Sequence, residues 1–186
     1  MDAGNAKYEV VDGVLFTKGP KKLLLYPQGK PGETYTVPAG VEEITSYGIA
    51  RNPYLTSVDL KDVTKVKISA LVNLPKLKTI TIPKNLKKTG LEEGAFEGCS
   101  SLEAYKVADG NTDFSADNGV LFSKDKDILY FYPIAKSDAT YNIPTTVKVI
   151  ADKAFQGASR LTSLVIPTSV EEIKSQAFRQ NYRLAS

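Results

Sequence analysis

The sequence predicts a stacked solenoid, rich in β-structure and linked by short turns, and two periodicities predict it. The first is long. Gly13-Val14-Leu15-Phe16 returns as Gly119-Val120-Leu121-Phe122, and the same 106-residue offset then runs without a gap. It pairs Tyr26-Pro27 with Tyr132-Pro133, Tyr35 with Tyr141, Pro38 with Pro144, and Leu55-Thr56-Ser57 with Leu161-Thr162-Ser163. The second period lies inside the first, in segments that read leucine, two residues, apolar, one residue, apolar. Units repeated at a fixed interval bury their apolar faces only against one another. The expected body is therefore one elongated domain over residues 1–186, with internal supermodules at 4–109 and 110–186, the second incomplete.

The short segments are Leu55 to Leu60, Leu77 to Ile82, Leu102 to Val107 and Leu161 to Ile166, and their leading leucines are 22, 25 and 59 residues apart. The first two steps fall in the range of leucine-rich repeats. Side chains two apart share one face of a strand, so Val58/Leu60, Ile80/Ile82, Tyr105/Val107 and Leu164/Ile166 are expected to point inward. Tyr35-Thr36-Val37 and Tyr141-Asn142-Ile143 add two rungs, six in all. Pro38, Pro83, Pro144 and Pro167 follow the apolar pairs and terminate strands, because proline has no N–H to give the ladder.

A return path follows each rung. Val41-Glu-Glu-Ile44, Val147-Lys-Val-Ile150 and Val170-Glu-Glu-Ile173 begin it. Ala95-Phe96, Ala154-Phe155 and Ala177-Phe178 are expected to start short helical or 3₁₀ turns whose phenylalanines plug the back of the core. Ile49 takes that place in one turn and Ala70-Leu71 in another, and the repeat geometry is least regular there. The 59-residue step makes room for an apolar hairpin from Gly119 to Pro133, matched by one from Gly13 to Pro27 that turns near Gly19-Pro20. Each supermodule thus opens with a β-hairpin. The full expectation is a leucine-rich-repeat solenoid, β-rich α/β, with a parallel sheet on the concave face.

Composition excludes several classes of function. Lysine and arginine total 24 against 21 acidic residues, a net charge of +3 with pI near 8.8, and the signs are scattered. No basic face of the kind that nucleic acid or an anionic membrane needs is visible. No apolar stretch approaches the roughly 20 residues of a membrane span, so no membrane insertion is expected. The start lacks a basic and then apolar leader, so a signal peptide is either absent or already removed. The chain has no histidine and one cysteine, which removes histidine-based catalytic triads and the usual zinc sites. Cys99 stands three residues before Leu102, a slot held elsewhere by Asn52, Leu74, Ala158 and Asn181, and reads as a buried core position. Glu42-Glu43, Glu92-Glu93 and Glu171-Glu172 recur with the repeat and so read as exposed return strands rather than a catalytic carboxylate pair. No enzyme activity, metal or cofactor is expected.

The string Asp12-Gly-Val-Leu-Phe-Thr-Lys18, the tyrosine-led rungs Tyr35 to Ile44 and Tyr141 to Ile166, and Gly94-Ala-Phe-Glu-Gly-Cys-Ser-Ser-Leu102 together resemble the BspA-like leucine-rich repeats of bacterial surface proteins. That resemblance implies a secreted or cell-surface protein that adheres to host or neighbouring-cell proteins. Lys61 departs from the pattern where proline is expected. The chain ends at Arg183-Leu184-Ala185-Ser186, where another leucine-led strand should begin, and this points to a fragment or an early stop.

Outward positions of the rungs are small and mostly hydroxylic, and six rungs give a face of roughly 24 Å. Ser57, Asp59, Lys61, Thr79, Thr81 and Lys106 are the candidate residues for an extracellular or host protein partner. A glycan is the alternative, held by Tyr54 and Tyr182, whose rings offer an apolar face and a polar tip. Tyr26, Tyr130, Phe131 and Tyr132 could make a similar platform but are expected mainly to pack the hairpins. A third reading makes the chain a spacer that projects another domain.

Overall fold

The computed structural model describes residues 4–186. They form a β-solenoid of about seven turns with almost no helix. Each turn contributes short segments to three ladders that run along the stack. In the first ladder Thr34–Thr36, Ser57–Asp59, Thr79–Ile82 and Ala104–Val107 pair in parallel, with Thr34, Ser57, Thr79 and Ala104 in register. Val58, Leu60, Ile80 and Ile82 are fully buried beneath it. The inward and outward alternation follows from the two-residue period of the strand.

The second ladder carries the valine-isoleucine signal. Lys22–Leu25, Glu43–Ile44 and Lys65–Val66 pair in parallel, and Leu91 extends them through a bridge to Val66. Ile128–Phe131, Val149–Ile150 and Glu172–Ile173 repeat the arrangement in the second half. The prolines act as expected: the N–H groups of Val41, Leu86, Val147 and Val170 close turns onto the carbonyls of Pro38, Pro83, Pro144 and Pro167. Where Lys61 replaces proline, the corner is made by a left-handed residue at φ 49°, and the Asp59 carboxylate accepts the Lys61 N–H at 3.0 Å.

The third ladder holds the Ala-Phe positions, and it corrects one expectation. These segments are turns between left-handed corners, and the single helical stretch among the described residues, the 3₁₀ turn Lys88–Gly90, lies elsewhere. Positive φ recurs four residues apart at Tyr47 and Arg51, Ser69 and Asn73, Gly94 and Gly98, Lys153 and Gly157, and Gln176 and Gln180. A left-handed residue cannot continue a right-handed helix, so the chain turns a corner at each one. Three residues remain between the corners, beginning with a small one. At Gly48 a Cβ would stand 2.8 Å from Ile44 Cγ2, and the other turns hold alanine there. Ile49, Leu71, Phe96 and Phe155 follow as the buried plugs, and Ile49 and Leu71 make the short parallel pair Ile49–Ala50 with Leu71–Val72.

Both hairpins form and each gains a strand. Tyr8–Val11, Val14–Thr17 and Lys22–Leu25 make one antiparallel meander, and Phe114–Asp117, Val120–Ser123 and Ile128–Phe131 make the other. The added leading strands turn at Asp12-Gly13 and Asn118-Gly119, with φ of 48° and 78° and of 46° and 80°. Asp-Gly and Asn-Gly with two positive φ values are the signal for a two-residue hairpin turn.

The second meander splits the first ladder. Thr140–Asn142 and Ser163–Val165 pair only with each other, and the four-stranded sheet ends at Ala104–Val107. The expected six-rung face is therefore four rungs, spanning roughly 14 Å, followed by a separate pair. The physical reason is that the Tyr105 N–H donates to the Gly119 carbonyl of the meander at 2.9 Å, which takes a ladder donor from the fourth rung. Ile166, expected inward, is 43% exposed, since Ala185 and Ser186 meet its rung only at Thr162 and Leu164. Burial divides likewise into two clusters, and the strand Val120–Ser123 serves both, with Leu121 in one and Val120 and Phe122 in the other.

Candidate functional site

The four-stranded face carries two rows of outward side chains. One runs Thr34, Ser57, Thr79, Ala104 and the other Thr36, Asp59, Thr81, Lys106. The structure thus brings Ser57, Asp59, Lys61, Thr79, Thr81 and Lys106 onto one surface. Thr79 Oγ1 lies 3.3 Å from Ser57 Oγ as donor to acceptor, so neighbouring rungs are tied by their hydroxyls. Asp59 Oδ2 stands 3.8 Å from Lys61 Nζ. In solvent such a pair contributes little to stability, and both charges remain available to a partner. Lys106 is exposed and Thr81 half-buried. Thr140, Asn142, Ser163 and Val165 lie on the separate two-stranded sheet and do not extend the face.

Tyr54 and Tyr182 are both exposed, at 44% and 86%, but stand in turns separated by the second meander and the rungs on either side of it. They do not share one platform. The hairpin aromatics are core: Tyr26 and Tyr132 are buried, with rings 4.6 Å from Tyr35 and 4.9 Å from Tyr141. Burial raises the pKa of Tyr26, Tyr35, Tyr132 and Tyr141.

Residues that could suggest chemistry have structural partners. Cys99 is buried with Sγ 3.5 Å from the Leu71 carbonyl, and burial pushes its thiol up to about 11, away from the reactive thiolate. Glu92 is ion-paired with Lys67 and accepts the Ile68 N–H at 2.8 Å. The Lys67 hydrogen bond holds its carboxyl below the usual range, the opposite of what a general acid needs. Glu43 pairs with Lys22 at 3.2 Å. No cluster of metal-ligating side chains occurs among the described residues, and no helix of the structure is long and apolar enough to cross a membrane.

One concavity escaped the sequence reading. Where the second meander interrupts the third ladder, a cleft of about 210 Å³ opens between the two halves, floored by Phe96, Tyr105 and Phe131. Glu97 and Lys153 close an ion pair of 3.3 Å at it. Leu71 and Phe155 donate their N–H groups to the next turn, at Ala95 and Ala177, but Phe96 meets no such acceptor among the described residues. No local pattern marks this cleft, because it is made by an insertion between residues far apart in sequence.

The model of the BspA type leucine-rich repeat region matches the chain in six copies, over residues 30–119 and 130–186. The central part of the second meander falls between these stretches. No curated protein matches. Three solved structures share the fold. A leucine-rich cell surface protein from Faecalibacterium prausnitzii is 24% identical with a TM-score of 0.54, over 97% of this chain and 39% of its own. The pneumococcal vaccine antigen PcpA is 18% identical with a TM-score of 0.54, over 96% of this chain and 69% of its own. A leucine-rich repeat protein from Eubacterium ventriosum is 19% identical with a TM-score of 0.57, over 94% of this chain and 62% of its own. The chain thus spans about two fifths of the Faecalibacterium structure.

Proposed function

Since the chain belongs to the BspA type leucine-rich repeat family, we propose that it is a noncatalytic protein-interaction module of a secreted or cell-surface bacterial protein, adhering to host or neighbouring-cell proteins. The observation that carries this reading is the four-stranded parallel face. Its outward rows are mostly short side chains held in register by the ladder, with Asp59 and Lys106 in one row and Lys61 beside Asp59. A rigid, extended surface of this kind is what solenoids use to bind, and short threonine and serine side chains lose little conformational entropy when covered. Two of the structural neighbours are a cell surface protein and a vaccine antigen, which supports display outside the cell.

The test is binding of the immobilised chain to extracellular-matrix proteins and mucosal glycans, beside a variant with Thr79→Ala, Thr81→Ala and Lys106→Ala. Saturable protein binding that the variant loses supports the reading. Binding that oligosaccharides compete away, and that Tyr182→Ala abolishes, moves the site to the tyrosines. A folded chain that binds nothing is a spacer.

A further inference from the structure

In the third ladder a turn hands three N–H groups, two residues apart, to the turn that follows it. Tyr47, Ile49 and Arg51 donate to the carbonyls of Ser69, Ala70 and Val72. Ser69, Leu71 and Asn73 donate to those of Gly94, Ala95 and Glu97, and Lys153, Phe155 and Gly157 to those of Ser175, Ala177 and Arg179, all at 2.8–3.2 Å. Gly94, Phe96 and Gly98 hold the same three places, yet none of their N–H groups has an acceptor among the described residues. The carbonyls of Gly94, Ala95 and Glu97 are already taken by the preceding turn. What this edge offers to the cleft is a row of donors.

The opposite wall is its complement. The second meander gives this ladder a single main-chain hydrogen bond among the described residues, from the Tyr132 N–H to the Ala154 carbonyl at 2.7 Å. The Gln156 carbonyl, which corresponds to the paired carbonyls of Val72, Glu97 and Arg179, accepts no main-chain N–H among the described residues. The gap thus has N–H groups on one wall and a carbonyl on the other, with stacked turns on both sides of it. A peptide unit fits such a gap, because its C=O and N–H point to opposite edges of an extended strand. A carboxylate meets the donors but has no proton for Gln156.

We propose that the cleft receives an extended peptide segment of a partner protein, which lays its carbonyls on the N–H groups of Gly94, Phe96 and Gly98 and one apolar side chain on the floor of Phe96, Tyr105 and Phe131. An unpaired strand edge is a template for an added strand, in which main-chain hydrogen bonds give affinity and a side-chain pocket gives specificity. The volume agrees. At about 210 Å³ the cleft is smaller than the roughly 300–1,000 Å³ pockets of drug-sized ligands, and it suits a short stretch of main chain with a single side chain. Glu97 and Lys153, paired at 3.3 Å, cancel one another's charge there, so the segment selected is a neutral one. This site is separate from the four-stranded face and does not depend on it.

Amide hydrogen exchange and amide chemical shifts, measured by NMR on the folded chain, test this. The probe is a series of acetylated, amidated threonine heptapeptides that carry each apolar residue in turn at the centre. In the free chain the amides of Gly94, Phe96 and Gly98 are expected to exchange fast, and those of Leu71, Asn73, Phe155 and Gly157 slowly. A peptide of the series, at about ten times its Kd, should slow the first three roughly tenfold and move their resonances to low field. Gln156→Trp and Ile134→Trp fill the cleft from two different residues, and each should abolish the effect in a chain that circular dichroism shows to be folded. Thr79→Ala with Thr81→Ala and Lys106→Ala should leave it intact, so failure of the cleft and failure of the four-stranded face are told apart. Slow exchange of the three amides in the free chain, a series in which no member protects them, or protection that survives both tryptophan variants overturns the proposal. An equal effect of N-acetylleucine, which has the carboxylate and the side chain but no extended main chain, overturns it as well.

Discussion

Glu97 and Lys153 are 56 residues apart in the chain, and their side chains meet at 3.3 Å across the cleft between the two halves. Lys153 is the first left-handed corner of its turn and Glu97 the residue before the second corner of its own, so the pair joins two different positions of the repeat across the junction.

Removing this pair is expected to cost little. Both partners are partly exposed, so Lys153→Ala or Glu97→Gln should destabilise the fold by less than about 1 kcal/mol. Chemical denaturation checks this. A larger loss, or separate unfolding of the two halves in the variant, would show that the ion pair holds the junction rather than the shared strand Val120–Ser123.

The asparagines supply an internal control. Asn111→Ala removes the partners of two carbonyls and two N–H groups in a buried site and should cost about 2–4 kcal/mol. Asn5→Ala loses only the Oδ1 contacts to Lys7 and Tyr8 and should cost about 1 kcal/mol or less. Equal losses would mean that the second amide nitrogen contributes nothing.

Alkaline pH should unfold the protein earlier than its net charge suggests. Burial raises the pKa of the Cys99 thiol to about 11 and that of Tyr35, Tyr105, Tyr132 and Tyr141 above the ordinary tyrosine value. Because these groups stay neutral when folded but ionise when unfolded, their stabilisation is full below the unfolded pKa values and fades as pH climbs toward the folded ones. Stability should hold to about pH 8.5 and fall above pH 9–10, starting from the unfolded cysteine and tyrosine values. Tyrosine absorbance titrated with pH should show the buried phenols ionising together with loss of the β-sheet signal. Gradual ionisation of every tyrosine near its ordinary value would contradict the burial.

Cys99 should resist alkylation in the native protein at neutral pH and react on denaturation, since the thiol is buried and largely protonated. Rapid native labelling would show that the turn holding it opens.

Gly119→Ala should destabilise the chain more than Gly13→Ala. Both force a side chain into positive φ, at 80° and 78°, but only Gly119 abuts Ala104. Both replacements carry a backbone cost of about 1 kcal/mol, and thermal unfolding should show the additional loss at Gly119 alone.

The repeat period, the inward pairs Val58/Leu60 and Ile80/Ile82, the strand-ending prolines, the burial of Cys99 and the packing role of Tyr26 and Tyr132 were legible from residue order alone. Each depends on neighbours within one turn or on recurrence of the same turn, and both are written along the chain. The hairpin signals Asp12-Gly13 and Asn118-Gly119 were equally present and identify the extra leading strands. The Ala-Phe segments misled because alanine and phenylalanine do not announce that Gln176 and Lys153 adopt left-handed φ. That choice is imposed by stacking, which places a small residue and then an apolar plug between two corners. Only the tertiary structure decided that the candidate face is four rungs and not six, that a cleft lies beneath Glu97 and Lys153, and that the second meander packs against the turn before it. All three depend on which turn lies against which, and when the Gly119 carbonyl captures the Tyr105 N–H, the outcome is set by a spatial neighbour that periodicity does not encode.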